Sequence, residues 1–497
     1  MKNYTEIKRD SIPELGCEGI QLVHDKTKAK VFLLPCSDEN KVFCIGFRTP
    51  PADSTGVAHI LEHSVLCGSK KYPCKDPFIE LAKGSMNTFL NAMTYPDKTV
   101  YPVASCNDKD FCNLVDVYLD AVFNTRIYNE EKIFRQEGWH FEQDEKGELS
   151  YNGVVYNEMK GVYSSADGVL DGAVNAALFP GHPYGLESGG HPDNIPDLTY
   201  EAFKQFHTRY YHPSNSYIYL YGDCDMEKML SYIDEEYLSK YEYREVDSKV
   251  AMPEHLDHTV YAEHEYPISD AEDEERSAIL TWQAAVGGEL DPLEYNAYHV
   301  LDDVLLANPG AVLKEALVKA GIGDDVYGGY SEGILLPYFS VRARNTSAEK
   351  QKQFEEIIRK TLTEVSENGL DHDAIRASIN VMEFRAREAD YGTIPAGLAY
   401  GLQSFDSWLY DADPVMHIRY EEVFAQLKAG IDENYYEGLI KKGLLDNTHC
   451  AVVTLKPVKG LDKKQDELLR SKLRRIHDAL SAEELEDIRT GTEELKT

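Results

Sequence analysis

Two stretches set 240 residues apart read alike, and they constrain the fold more than any other feature of the chain. His59-Ile-Leu-Glu62-His63-Ser-Val-Leu lines up with His299-Val-Leu-Asp302-Asp303-Val-Leu-Leu. The surrounding elements repeat in step. A strand-like apolar run at 41–47 precedes the first stretch, and one at 278–286 precedes the second. Leu81-Ala-Lys-Gly is answered by Leu317-Val-Lys-Ala-Gly, and a strand at 99–104 by one at 333–341. Helical patterns at 108–124 and 130–137 are answered by patterns at 349–366 and 372–388. Self-similarity of this kind, with periods switching between 2 and 3.6, predicts two copies of one α/β unit.

The 497 residues exceed what one ordinary core holds, and 42% apolar content suffices for more than one. Short strands are expected at 19–24 and 30–35, around the turn Asp25-Lys-Thr-Lys28. Pro50, Pro51 and Asp53 end the third strand, and Ser54 is placed to cap the helix that follows. A short helix at 77–83 closes at Gly84. Residues 87–94, 95–98 and 99–104 read as strand, turn and strand. Further on come a strand near 139–141, a helix opening near 153 and a Gly/Pro loop at 180–192. A helix at 199–210, a strand at 216–222 and a helix at 225–238 close the first unit. Seven carboxylates in 263–275 read as a solvated linker. The expected division is therefore 1–250, 251–460 and a charged helical tail at 461–497. That tail reads as two helices joined near Ser481, with no following domain to pack against.

Composition excludes some partners. With 51 basic and 86 acidic residues the formal charge is −35. Nucleic acid, whose binding needs a basic surplus, is excluded, as is adsorption to anionic membranes. An acidic cavity wall would instead attract basic peptides, but most of these charges read as a solvated acidic surface. Nine scattered cysteines without a CxxC pair point to a reducing compartment. There is no apolar signal region near Met1 and no 18-residue apolar run, so a cytoplasmic setting is expected.

The chemistry concentrates at 54–68. Val57, Ile60, Leu61 and Val65 give a helical period, which puts His59 and His63 on one face. Two imidazoles so placed can bind one zinc ion. Glu62 is offset from that face and can reach a water on the metal, where a general base belongs. The order His-x-x-Glu-His inverts the commoner zinc-protease order. The alternative is a core helix with two satisfied histidines, and a third ligand decides between them. Glu158, 95 residues past His63, is a candidate. Its apolar neighbours suggest partial burial, and a buried carboxylate must be paired or bind a cation. The alternative is an exposed helix carboxylate or one capped by Lys160. His182 and His191 sit in the Gly/Pro loop and are expected to be solvated. The strand at 87–94 could hold an extended peptide by main-chain pairing if it lies at an edge, or be an ordinary covered hairpin. The second copy has Asp303 at a ligand position and no match for Asn157-Glu158-Met159, so it reads as a non-catalytic support.

Four segments carry a family resemblance: Thr55-Gly-Val-Ala-His59-Ile-Leu-Glu62-His63-Ser-Val-Leu-Cys-Gly-Ser69, Thr88-Phe-Leu-Asn91-Ala-Met-Thr94 running on to Ser105, Tyr156-Asn-Glu158-Met-Lys-Gly161, and Tyr211-His-Pro-Ser-Asn215. In these the chain resembles the pitrilysin/insulin-degrading-enzyme superfamily of zinc peptidases, most of all its presequence-protease branch. The resemblance implies an α+β fold of two homologous domains, each a mostly antiparallel sheet covered by helices on one side, plus a C-terminal helical hairpin. It implies His59, His63 and Glu158 as ligands of one zinc ion, Glu62 as the base, and Asn91 and Ala92 on the strand that holds the substrate backbone. Family members cleave unstructured peptides inside a chamber of two such halves, and single-chain members of the branch are about twice this length. An Arg and a Tyr from the other half hold the substrate carbonyl, and no matching motif stands in this sequence. The expectation is an amino-terminal half that works with a second half. Two rivals are a non-catalytic scaffold subunit of the same fold and a self-sufficient dimeric processing-type peptidase.

Overall fold

The computed structural model describes residues 1–74 and 77–496. β-Branched and aromatic runs build two large sheets. In the first the spatial order is Tyr4–Ile12, Cys17–His24, Lys30–Pro35, Ser216–Gly222, Lys41–Arg48, Lys98–Ser105 and Asn87–Leu90, and Met93–Thr94 also pairs with Lys98–Ser105. In the second the order is Val260–Ile268, Cys450–Lys459, Ala278–Ala285, Tyr338–Thr346 and Asp325–Ser331. Lys30–Pro35 runs parallel to Ser216–Gly222, Val260–Ile268 runs parallel to Cys450–Lys459, and the other pairings are antiparallel. Five strands of the first sheet thus recur in the second with the same chain order and pairing sense. The fold is mixed α+β with mostly antiparallel sheets.

Every residue of Lys41–Arg48, Lys98–Ser105 and Ser216–Gly222 is buried, so both faces of the first sheet are covered. On one face Phe43, Ile45, Phe47 and Tyr101 pack with Phe111, Leu114, Tyr118 and Val122 of the helix Asp108–Phe123. On the other, Val42, Cys44, Val100 and Tyr219 meet Leu398, Phe405 and Trp408 of Ala396–Trp408, a helix that follows the second sheet's first four strands. The exchange is reciprocal. Leu170, Val174 and Leu178 of the helix Ala166–Leu178 pack on Ile279, Val453 and Leu455 of the second sheet. Each sheet therefore depends on a helix from the other copy, and the two units share their cores.

Three expectations need correction. The acidic stretch is not a plain linker, because Val260–Ile268, with Glu263 and Glu265, is a strand. Tyr266 and Ile268 turn inward while the carboxylates face solvent at the sheet's edge, so pairing with Cys450–Lys459 decides what composition obscures. Nor do the last helices lack a partner. Leu461–Ala479 and Ala482–Lys496 fold back on the hairpin His140–Gln143/Leu149–Asn152, where Thr492 Oγ1 donates to the Phe141 carbonyl at 3.5 Å. Finally, Ser54 does not cap the helix after it, which starts beyond Gly56. Ser54 Oγ instead accepts the Glu187 N–H at 3.1 Å and its carbonyl accepts the His191 N–H at 2.9 Å, pinning the 180–192 loop to the helix start.

Candidate metal centre

The helix Val57–Val65 buries Val57, Ile60, Leu61 and Val65 against the first core. That orientation turns His59, Glu62 and His63 toward a common cleft. Gly56 makes this start possible: its φ is +70°, and a Cβ there would lie 2.7 Å from the Gly189 oxygen and from Gly190 Cα. The close approach brings the Gly189 carbonyl to 3.0 Å from His59 Nδ1. That carbonyl can only accept, so Nδ1 carries the proton and Nε2 is left as a donor atom for a cation.

His63 is oriented in the same way by a different group. Its Nδ1 lies 3.4 Å from Oε2 of Glu137, a carboxylate only 7% exposed on the helix Glu131–Glu137. Burial disfavours the His63 imidazolium, but the Glu137 hydrogen bond and the charges of Glu62, Glu137 and Glu158 outweigh it and raise its pKa.

Glu158 comes from the helix Val154–Val162, which buries Val155, Tyr156 and Met159. Its side chain is half exposed. Its Oε2 stands 3.8 Å from Nε2 of both His59 and His63. Donor atoms of the three residues lie within 4.8 Å of one another, the one such His/Cys/Asp/Glu group among the described residues. Tetrahedral zinc with bonds near 2.1 Å needs donors about 3.4 Å apart, a few tenths of an ångström closer than Glu158 stands to either imidazole. Two neutral imidazoles and a carboxylate, each ring held from behind by an acceptor, fit that ion.

Glu62 stands beside this group and accepts a hydrogen bond from Thr94 Oγ1 at 2.7 Å. Thr94 ends the short outermost strand Met93–Thr94, so the edge and the acid are tied together. Asn91 and Ala92 lie between the two outer segments. The Asn91 N–H points inward to the Pro102 carbonyl at 3.4 Å, and its carbonyl accepts from Tyr118 at 3.1 Å.

Other candidates fall outside the group. His182 Nε2 bonds the Ala251 carbonyl at 2.9 Å, and the His191 ring packs on Tyr163. In the second copy His299 Nε2 is bound to Glu332 at 2.5 Å, Asp302 accepts the Tyr330 N–H at 3.3 Å and Asp303 accepts from Ser378 at 2.5 Å. The equivalent residues there are each satisfied by a separate neighbour. Thr94, Glu137 and Gly189 are the contributors that spacing does not reveal. Only the apolar pattern of Ile133 and Phe134 in the helix ending at Glu137 hints at anything, and it hints only at a helix.

Comparison with known proteins agrees with this architecture. A sequence model of the insulinase family (peptidase family M16) matches residues 42–184, and one of the M16 inactive domain matches 197–382. The chain is 47% identical over 488 residues to protein HypA of Clostridium perfringens, covering 98% of this chain and 50% of HypA. It is 41% identical over 502 residues to presequence protease 1, chloroplastic/mitochondrial, of Arabidopsis thaliana, covering 99% of this chain and 46% of that protein. It thus spans about half the length of the curated relatives it matches. Among solved structures, a protease from Helicobacter pylori superposes with a TM-score of 0.68 at 16% identity, over 89% of this chain and all of the other, a likeness of fold alone. The chain belongs to the M16 (insulinase/pitrilysin) family of peptidases, on its presequence-protease branch.

Proposed function

We propose that this chain is the amino-terminal, catalytic half of a zinc-dependent endopeptidase that hydrolyses unstructured peptides and works with a second, homologous half. The observation that carries the reading is the convergence of His59, His63 and Glu158 beside Glu62. One zinc ion held by the three would supply Lewis acidity, polarising a carbonyl and lowering the pKa of water to about 7. The chain's own residues do the rest. The Gly189 carbonyl and Glu137 fix the rings so that both Nε2 atoms face the cleft. Thr94 holds one oxygen of Glu62, leaving the other to take a proton from the attacking water and return it to the leaving amine. The edge at Ala92–Thr94 would bind main chain, which makes side-chain selectivity broad. The inactive-domain match falls largely on the second copy, whose Asp302 and Asp303 serve as support. A cytoplasmic setting is part of the proposal, supported by nine scattered cysteines with no CxxC pair.

The test combines metal analysis with a fluorogenic peptide. Chain purified without added zinc should hold about one zinc per chain. Glu62→Gln should keep that zinc and, in the presence of the second half, lose turnover. Absence of zinc would favour a scaffold subunit instead. Full activity of this chain alone, eluting as a dimer, would favour a self-sufficient processing-type enzyme.

A further inference from the structure

The Gly189 carbonyl that holds His59 is itself held, and Glu187 holds it from both sides. The Gly189–Gly190 peptide donates its N–H to the Glu187 carbonyl at 3.1 Å, while its oxygen stands 3.0 Å from His59 Nδ1. Hydrogen bonds strung through one peptide in this way strengthen each other. On the other side the Gly189 N–H donates to Glu187 Oε1 at 3.1 Å. Main chain and side chain of one residue thus fix the group that orients the imidazole.

Glu187 is in turn anchored to both helices that carry the metal-site residues. Its N–H donates to Ser54 Oγ at 3.1 Å, just ahead of the helix Val57–Val65. Its Oε2 accepts from the Tyr163 hydroxyl at 2.8 Å. Tyr163 closes the helix Val154–Val162, which carries Glu158, and its N–H bonds the Met159 carbonyl at 2.9 Å. The tyrosine has little room to leave. Its hydroxyl sits over Gly172, where a Cβ would lie 2.7 Å away, and the His191 ring stands edge-on to it with centres 4.4 Å apart. Gly189 also rests on Met159, since a Cβ there would lie 3.1 Å from Met159 Cε. A continuous path therefore runs from the Glu158 helix through Tyr163 and Glu187 to the ring of His59.

We propose that Glu187 is a positioning residue of the metal site, coupling the helix of Glu158 to the ring of His59. The inference rests on the proposed zinc site and deepens it by naming what sets the spacing of two ligands from different helices. Glu158 Oε2 and His59 Nε2 stand 3.8 Å apart, so a small slide of either helix changes the donor set. The two oxygens of Glu187 serve the two ends of the bridge, one accepting from the loop and one from Tyr163. An amide keeps the shape but has one acceptor oxygen, so glutamine cannot keep both bonds.

The experiment uses the full chain and two probes: zinc ion in competition with a chromophoric chelator, and cobalt(II) ion as a spectroscopic substitute. Glu187→Gln should weaken zinc binding by about tenfold, the lower end of the usual cost of losing a partner behind a ligand. It should also change the d–d absorption of bound cobalt, which reports ligand geometry and not fold stability. Tyr163→Phe removes one hydroxyl and should weaken zinc in the same direction by a smaller factor. Combined with Glu187→Gln it should cost less than the two losses multiplied, because both lie on one path. Glu187→Gln and Glu137→Gln act on different rings, so their losses should multiply in full. Asp193→Asn removes a charge from just beyond the same loop, at a side chain 90% exposed, and should leave affinity as it was. Thermal melts of every variant accompany the titrations. Unchanged affinity and an unchanged cobalt spectrum in Glu187→Gln would overturn the proposal. An equal loss in Asp193→Asn would overturn it too, since overall charge would then be the cause. So would weaker binding that comes with a lower melting temperature and an unchanged cobalt spectrum, which would leave Glu187 a support of the loop alone. If the unaltered chain takes up neither ion, the zinc-site reading itself fails and this inference falls with it.

Discussion

Glu137 and Glu62 are both carboxylates within reach of the histidine pair, yet the geometry gives them separate tasks. Glu137 is buried behind His63 and can touch only Nδ1, whereas Glu62 is tied to Thr94 at the open side. Glu137→Gln keeps the shape but removes the charge that steadies the ring. Zinc affinity should fall by about 10–100-fold, the usual cost of losing such a partner. Competition against a chromophoric chelator measures this, with Glu62→Gln as the control that leaves affinity unchanged. His59, Glu62 and His63 are legible from spacing, since one helical turn puts the histidines on one face with Glu62 just beside it. Glu137 is not, because its role depends on how the helix Glu131–Glu137 crosses the helix Val57–Val65. Glu158 lies between these cases: its helix is readable, but its exposure and the direction it faces are not.

The helix Val57–Val65 and the loop 180–192 act as one piece, joined at Gly56. A Cβ there would strike the Gly189 oxygen and Gly190, and the φ of +70° is itself unfavourable for other residues. Gly56→Ala should destabilise the fold by roughly 1–3 kcal/mol, the scale of such backbone strain. Moving Gly189 also releases His59 Nδ1, so zinc affinity should drop in the same variant. Denaturant unfolding and metal titration read the two effects separately, and a loss of stability with unchanged affinity would show that loop and ring are uncoupled. Among elements, strands with continuous apolar runs such as Lys30–Pro35 and Lys41–Arg48 are evident in the sequence. Others are hidden. Val260–Ile268 is an edge strand whose solvent face is acidic, so its composition resembles a linker. Asp325–Ser331 carries Gly328 and Gly329, whose lack of side chains lets Asp302 and the neighbouring strand approach but erases the strand pattern. The helix Ala396–Trp408 sets Gly397 and Gly401 against Tyr221 and Tyr219 of the other copy, and Ala166–Leu178 sets Ala173 and Ala177 in the cluster it shares with the second sheet, which weakens their amphipathic signal.

Where the two copies meet, burial governs the response to pH. In the unfolded chain Glu289 titrates near 4.5, but in the fold it is held up to about 9, first by burial and then by Asp406. Between these values the folded state keeps a proton that the unfolded state has released, so this group makes stability fall as pH rises. Glu289→Gln removes that slope and should stabilise the protein at pH 8 by about 1–3 kcal/mol, with little gain near pH 4. Thermal melts of the two proteins across pH 4–9 test the sign, and parallel curves would refute it. The sequence alone settled the duplicated α/β unit, the histidine–glutamate helix and the Asp302–Asp303 pair that stands at the matching place in the second copy. These follow from local periodicity, which a helix or strand expresses wherever it lies. The tertiary structure alone decided that Glu158 meets the histidines, that Glu137, Gly189 and Thr94 hold the group in place, and that each copy lends a helix to the other's sheet. Such facts depend on long-range packing and on which buried charges end up facing one another, and no local pattern encodes that.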